Sequence, residues 1–345
     1  MTTADEEKKV FSLLLYPFFF QSAVAQKTGE NIMNNPPTMW EVEQQYHHLV
    51  KQKQYAEAHK LITENVAVFD HHAQKIVYYW RFWTAVMLNE ADLTIQLLAK
   101  AVDDGHWYSG LAENADFARV HQDPRFVELM QICQKRREVA MKTAVPTLKR
   151  LQPPNHPQPH PLLFALHGNN SNVEAFAKKW ETAVPHGWLV GLPQSSQIRD
   201  PGVHTWNDWD WAIEEIQHQY ATLCADHSVN IEQAVLAGYS MGGGLAASLA
   251  LSGKIKPKGL ILIAPFLNNA DNMIPYLETR AADDLRAYIV VTEQDIYCRD
   301  IGQRLSQLLP QYGIPCQFEI YPNLGHSFPP TFAQKLPDLL DFVMA

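Results

Sequence analysis

The sequence predicts an α/β chain: a doubly wound, mostly parallel sheet preceded by an all-α, helical-repeat-like domain. Three observations lead there. From about Met39 to Met141 proline and glycine almost vanish, and apolar residues recur at helical spacing, as in Trp40, Tyr46, Leu49 and Val50. Beyond that point short apolar runs alternate with helical ones, which is the pattern of strands joined by crossover helices. Finally, the apolar run Ala234–Tyr239 stops at Ser240, flanked by Gly238 and Gly242, and gives way to a small-residue helix, Leu245–Leu251, with a stop at Gly253.

The elements divide the chain into three stretches. Residues 1–35 form an extension that is disordered or signal-like. Lys8-Lys9, an apolar run and Ala23-Val24-Ala25 follow the order of a secretory leader, while Asp5, Glu6 and Glu7 spoil its basic start. The expected location is cytoplasmic, with secretion as the alternative. Its apolar run Val10–Phe20, interrupted by Ser12 and Pro17, is too short to span a bilayer, so no transmembrane segment is expected.

Residues 36–140 read as the helical domain. Tyr46 with Ala58 is echoed by Trp83 with Ile95, each pair displaced by 37 residues, a period suited to helical hairpins. With Tyr55-Ala56-Glu57-Ala58 at a helix crossing, this stretch resembles degenerate tetratricopeptide repeats. A plain helical bundle is the equal alternative. Asn114–Phe126 resembles the tail that closes such arrays, with Pro124 suited to the first turn of the last helix. The cluster Tyr78, Tyr79, Trp80, Phe82 and Trp83 is expected to pack between helices. The pairs His47-His48 and His71-His72 diverge on a helix and are read as surface residues. Lys135-Arg136-Arg137 is read as a solvated helix end. This domain is also where a protein partner is expected to bind.

Residues 141–345 carry the sheet. The strand-like run Thr143–Leu151 is followed by five prolines between Pro153 and Pro161, a turn into the next strand. Leu162–Leu166, Trp188–Leu192, Ala234–Tyr239, Gly259–Ala264, Ala287–Thr292 and Gln317–Tyr321 continue the series.

Composition narrows the function. The 345 residues are 46% hydrophobic and 19% charged, a globular balance with length for two domains. A formal charge of -9 offers nothing to offset phosphate repulsion, so no nucleic-acid partner is expected. Cys133, Cys224, Cys298 and Cys316 lack paired spacing, which argues against a disulfide framework or a zinc site. No metal or other cofactor is expected.

The chemistry should gather at the carboxyl ends of the strands. There the chain places His167-Gly168-Asn169-Asn170, then Ser240, then Glu293-Gln294-Asp295, then Gly325-His326-Ser327-Phe328. A serine hydroxyl is a weak nucleophile until a base takes its proton, and the base needs a carboxylate to fix its tautomer. Ser240, His326 and Asp295 fill these roles in the chain order Ser, Asp, His. Glu293 and Asp300 are rival acids, and His204, His218 and His227 rival bases, but none combines the right strand end with the right order.

On Leu166-His167-Gly168, Gly238-Tyr239-Ser240-Met241-Gly242-Gly243, Thr292-Glu293-Gln294-Asp295 and Gly325-His326-Ser327-Phe328, residues from about 141 to 345 resemble an alpha/beta-hydrolase. The group is that of the phospholipases and carboxylesterases, with acyl-protein thioesterases and dienelactone-hydrolase-like enzymes. Thr292 departs from the pattern, because the family often has glycine there. The backbone N–H of Met241, just after the nucleophile, is one expected oxyanion donor. The resemblance assigns the second to the N–H of Asn169 and gives the His167 side chain a structural part. Trp206-Asn207-Asp208-Trp209-Asp210-Trp211 should lie near the mouth of the site. Packing and lining of an apolar substrate pocket, by Trp206 and Trp209, stand as equal readings. The expectation is a serine hydrolase of carboxylic esters or thioesters acting through an acyl-enzyme. The alternatives are a peptidase of the same fold, or an interaction protein with an inactive hydrolase domain.

Overall fold

The computed structural model describes residues 37–345 except 70–73, 227 and 281–283. The N-terminal extension, His71-His72 and His227 therefore lie outside the described residues. The chain forms two compact units. One ends at Lys142 and includes Arg199–Pro201; the other comprises Thr143–Ile198 and Gly202–Ala345.

The first unit is helical. Helices α1 (Met39–Lys51) and α2 (Tyr55–Glu64) form one hairpin, α3 (Gln74–Met87) and α4 (Ala91–Asp103) a second, and α5 (Pro124–Thr143) closes the unit. Thr38 starts α1 with a capping box: Glu41 N–H donates to the Thr38 hydroxyl and Thr38 N–H donates to the Glu41 carboxylate. Positions displaced by one hairpin are buried alike, Tyr46 and Ala58 in the first, Trp83 and Ile95 in the second. Of the aromatic cluster on α3, Tyr79, Trp80, Phe82 and Trp83 are core, while Tyr78 is half-buried and donates its hydroxyl to Asp104. Tyr46 stacks on Trp80 at 4.7 Å, Phe82 meets Tyr108 at 5.0 Å edge to face, and Tyr55 meets Trp83 at 5.8 Å.

Two surface expectations change. His48 is exposed, but His47 is half-buried with its ring against Trp80 at 5.3 Å. Its position on α1 turns it towards the α3 aromatics rather than out to water. Lys135-Arg136-Arg137 lies in the middle of α5, not at a helix end. Arg136 Nη1 donates to the carbonyls of Val102 (2.6 Å), in the last turn of α4, and His106 (3.0 Å), just beyond it.

The second unit holds a seven-stranded sheet. Its strands are β1 (Thr147–Leu151), β2 (His160–Leu166), β3 (Leu189–Gln194), β4 (Val229–Tyr239), β5 (Gly259–Ile263), β6 (Arg286–Thr292) and β7 (Cys316–Tyr321). The order is β1-β3-β2-β4-β5-β6-β7, with β1 antiparallel to β3 and the other pairs parallel. The run expected to be strand from Thr143 begins only at Thr147. Helix α5 persists to Thr143, and Pro146, which lacks an N–H and disfavours helix in the residue before it, separates the two elements.

Period-two alternation assigns each strand residue to a face. Leu162, Phe164 and Leu166 face one apolar layer, shared with α6 (Trp209–Cys224), α7 (Met241–Leu251) and α8 (Ile296–Gln311). Leu163 and Ala165 face the other, built with Phe176, Trp180 and α9 (Phe332–Met344). Register brings the strand ends level: Leu166 pairs with Gly238, Tyr239 with Ile263 and Thr292 with Tyr321. The loops that follow therefore converge at one edge. Among the described residues no helix is long and apolar enough to cross a membrane.

Phe82 is fully buried amid rings. Phe82→Ala is expected to destabilise the helical unit by about 3–5 kcal/mol through the cavity it leaves, measured as a lowered urea midpoint of the helical circular-dichroism signal.

Candidate active site

Ser240 sits between β4 and α7 with φ 54° and ψ -122°, a backbone region that costs a non-glycine residue about 1–3 kcal/mol. The surroundings hold it there. Ser240 N–H donates to the Ile263 carbonyl at 3.0 Å, and the Ser240 carbonyl accepts from Gly244 N–H (3.0 Å) and Phe266 N–H (2.9 Å). The flanking glycines are required by contact. A Cβ on Gly238 would lie 2.3 Å from the Gly242 carbonyl oxygen, and one on Gly242 would lie 2.3 Å from that of His167.

The three loops expected to cooperate meet here. The Ser240 hydroxyl lies 2.8 Å from His326 Nε2, and His326 Nδ1 lies 2.5 Å from Asp295 Oδ2. A carboxylate can only accept, so Nδ1–H donates to Asp295 and leaves Nε2 free to accept from the hydroxyl. The His326 ring stacks on Tyr239 at 5.0 Å, and Tyr239 packs on Phe328 at 4.6 Å.

Asp295 is buried and also caps α8, its Oδ1 accepting from Cys298 N–H at 3.4 Å. Burial and the adjacent Asp295 carboxylate push the Cys298 thiol well above its ordinary pKa, so the sulfur keeps its proton and can donate to that carboxylate. The ligating atoms of Asp295, Cys298 and His326 lie within 4.8 Å of one another, a donor set that a divalent ion could use. The 2.5 Å contact between Asp295 and His326 is nevertheless a hydrogen bond with no gap for an ion.

The rivals are engaged elsewhere. Glu293 accepts from Asn323 N–H at 2.8 Å, Asp300 pairs with Arg299, His204 Nδ1 donates to the Ser195 carbonyl at 2.6 Å, and His218 is exposed on α6.

Met241, the first residue of α7, has its N–H at a helix N-terminus, where the orphan amides and helix dipole favour negative charge. Asn169 is pinned through its side chain: Oδ1 accepts from Trp206 N–H and Nδ2 donates to Asn207 Oδ1, both at 2.7 Å. His167, just before, is fully buried. Its Nδ1–H donates to the Gly168 carbonyl at 2.8 Å, and Nε2 accepts from Ser195 N–H at 3.4 Å. Burial pushes the imidazole from its ordinary 6.5 down to about 3.

The two tryptophans separate. Trp206 is fully buried, stacks on His167 at 4.6 Å and donates its indole N–H to the His167 carbonyl at 2.7 Å, so it packs beneath the loop instead of lining a pocket. Trp209 is half-buried, and its indole N–H points to the Met241 sulfur at 3.3 Å. Sequence reasoning did not single out Ser195 beside His167 or Cys298 beside Asp295. For Ser195 the available signal was the polar run Gln194–Gln197 at the end of an apolar strand.

A neutral buried His167 has a sign for stability. Its folded pKa lies below the unfolded value, so the unfolded chain binds the extra proton and stability falls as pH drops from about 6.5 towards 3. Wild type is expected to lose up to about 1.4 kcal/mol per pH unit over that window from this group alone. His167→Gln should show a flatter decline in denaturant midpoint across the same pH series.

Comparison with known proteins bears on both units. Residues 42–141 match the family model for the A/B hydrolase-like N-terminal domain, and residues 157–294 match a model described as serine aminopeptidase, S33. Acyl-protein thioesterase 1 of Emericella nidulans is 24% identical over 122 residues, 34% of this chain; the match spans about half (51%) of that relative's length. A crystal structure of an uncharacterized protein from Bacillus cereus ATCC 10987 superposes over 90% of this chain and 100% of its own, with TM-score 0.50 and 24% identity. A carboxylesterase from Bacillus cereus covers 60% of this chain and 99% of its own, with TM-score 0.47 and 16% identity. With the elbow between β4 and α7 and the mostly parallel sheet, the second unit has the alpha/beta-hydrolase fold, and the helical unit before it matches the N-terminal domain of A/B hydrolase-like proteins.

Proposed function

We propose that the chain is a serine hydrolase of carboxylic esters or thioesters that works through an acyl-enzyme on Ser240. The observation that carries this reading is the unbroken hydrogen-bonded line from Asp295 through His326 to the Ser240 hydroxyl at a strained elbow. Such strain persists only where the surrounding structure enforces it.

In the proposed sequence His326 Nε2 removes the hydroxyl proton as Ser240 Oγ attacks the carbonyl carbon. Asp295 holds Nδ1–H and stabilises the imidazolium that forms. The backbone N–H groups of Met241 and Asn169 receive the oxyanion. His326 then gives its proton to the departing alcohol or thiol. Water, deprotonated by the same imidazole, releases the acid and restores Ser240. Every proton is carried by this chain's residues and water, and no cofactor enters.

Ile296 and Tyr297, exposed directly after Asp295, and half-buried Trp209 beside Met241 favour an apolar acyl or leaving group. An ester or thioester is favoured over an amide by the resemblance to acyl-protein thioesterase 1. The serine aminopeptidase model over residues 157–294 gives amide cleavage as a second reading.

Fluorophosphonate labelling is expected for wild type and absent from Ser240→Ala. Turnover of p-nitrophenyl acyl esters should fall by about 10⁴-fold or more in Ser240→Ala and His326→Ala, and by about 10³–10⁴-fold in Asp295→Asn. Labelling that survives in Ser240→Ala would remove the nucleophile assignment. Faster release from aminoacyl p-nitroanilides than from acyl esters and thioesters would replace the esterase reading with the peptidase one.

A further inference from the structure

Thr292 is where this chain departs from the proteins it resembles, and the structure gives its side chain a task. It ends β6, pairs in register with Tyr321 of β7 and is fully buried. Its hydroxyl donates to the carbonyl oxygen of Gly325 at 2.8 Å, and Gly325 immediately precedes His326. Glycine at this position would have no group to make that bond. We infer that Thr292 is a positioning residue that ties the loop carrying His326 to the end of the strand that carries Asp295. The inference rests on the serine-hydrolase reading above for its catalytic consequence.

Three features make the tie directional. Threonine is stiff about χ1, so the strand's backbone sets the direction of the hydroxyl. The donor itself is fully buried, and its loss leaves the Gly325 carbonyl to the Ser327 hydroxyl at 3.3 Å and to solvent. It also runs beside backbone rungs that join the same two loops, Glu293 N–H to Tyr321 O and Gln294 N–H to Leu324 O, both 2.9 Å. Those rungs stop at Leu324. The Thr292 hydroxyl extends the connection by one residue, to the peptide next to His326. Because the side chain is fully buried, it acts only through His326, and removing it should lower kcat while leaving KM alone.

Two pairs of variants isolate the hydroxyl. Thr292→Val keeps the branched shape and lacks the donor. Thr292→Ser and Thr292→Ala both lose the methyl group and differ only in the hydroxyl. If Thr292→Val fails to fold, the Ser/Ala pair still decides the question.

The expectation is a fall in kcat of about tenfold in Thr292→Val relative to wild type, and a similar fall in Thr292→Ala relative to Thr292→Ser, with KM within about twofold throughout. Hydrogen exchange of the Gln294 amide, measured in the same proteins without substrate, should quicken in Val and Ala and not in Ser. Equal kcat and equal exchange within both pairs, or a Thr292→Ser variant as slow as Thr292→Ala, overturns the role. Should wild type lack Ser240-dependent labelling, the hydrolase reading falls, and the exchange measurement still decides whether Thr292 holds the loop.

Discussion

The backbone contact between Gly242 and the His167 carbonyl is the constraint on which the rest of the second unit turns. With less than the width of a methyl group available there, β4 and the start of α7 are pressed onto the end of β2. That closeness bends the chain at Ser240 into a left-handed turn, lifts the hydroxyl clear of the sheet and sets the first amide of α7 beside it. The same contact fixes the distance between Ser240 and the loop of Asn169. The placement of Ser240, the Met241 amide and the Asn169 loop thus derives from one packing requirement, which is how a rigid fold lends precision to a few side chains.

Around that point the polar groups are assembled from residues far apart in the chain. Ser240 and His326 are separated by 86 positions, His326 and Asp295 by 31. Parallel strands that end level make this inexpensive: each loop needs to travel only a few residues past its strand. Asp295 serves twice, as helix cap through one oxygen and as partner of His326 through the other. His167 is the counterpart on the opposite side. Both of its nitrogens are committed, so it behaves as a fixed neutral strut and leaves His326 as the imidazole that meets the Ser240 hydroxyl.

Much of this was legible in the residues themselves. Gly238 and Gly242 announce a backbone constraint that is local. The apolar runs of β2, β4, β5 and β6 are so continuous that two-sided burial is the only home for them. The paired positions Tyr46/Ala58 and Trp83/Ile95 carry the helical hairpins because burial repeats with the fold. What escaped the sequence depends on partners fixed only by tertiary structure. Trp206 is amphipathic enough for a pocket or for packing, and the choice falls to the His167 carbonyl 39 residues away. Arg136 looks like solvated charge until the end of α4 is placed beneath it. Thr292 reads as a departure from a pattern, and its meaning appears only when Gly325 arrives within reach.

The contrast between Asp295 and its two neighbours has a consequence for how such a protein can change over time. The acid is buried and doubly bonded, while Ile296 and Tyr297, the next residues along, are 62% and 39% exposed. Drift at 296 can alter the apolar surface beside Asp295 without touching its two bonds, whereas Tyr297 is held by its hydroxyl on the Leu267 carbonyl at 2.6 Å and its ring on Phe266 at 5.1 Å. A surface of different character can therefore be tried at 296 one substitution at a time, and a laboratory library confined to that position would sample the same freedom.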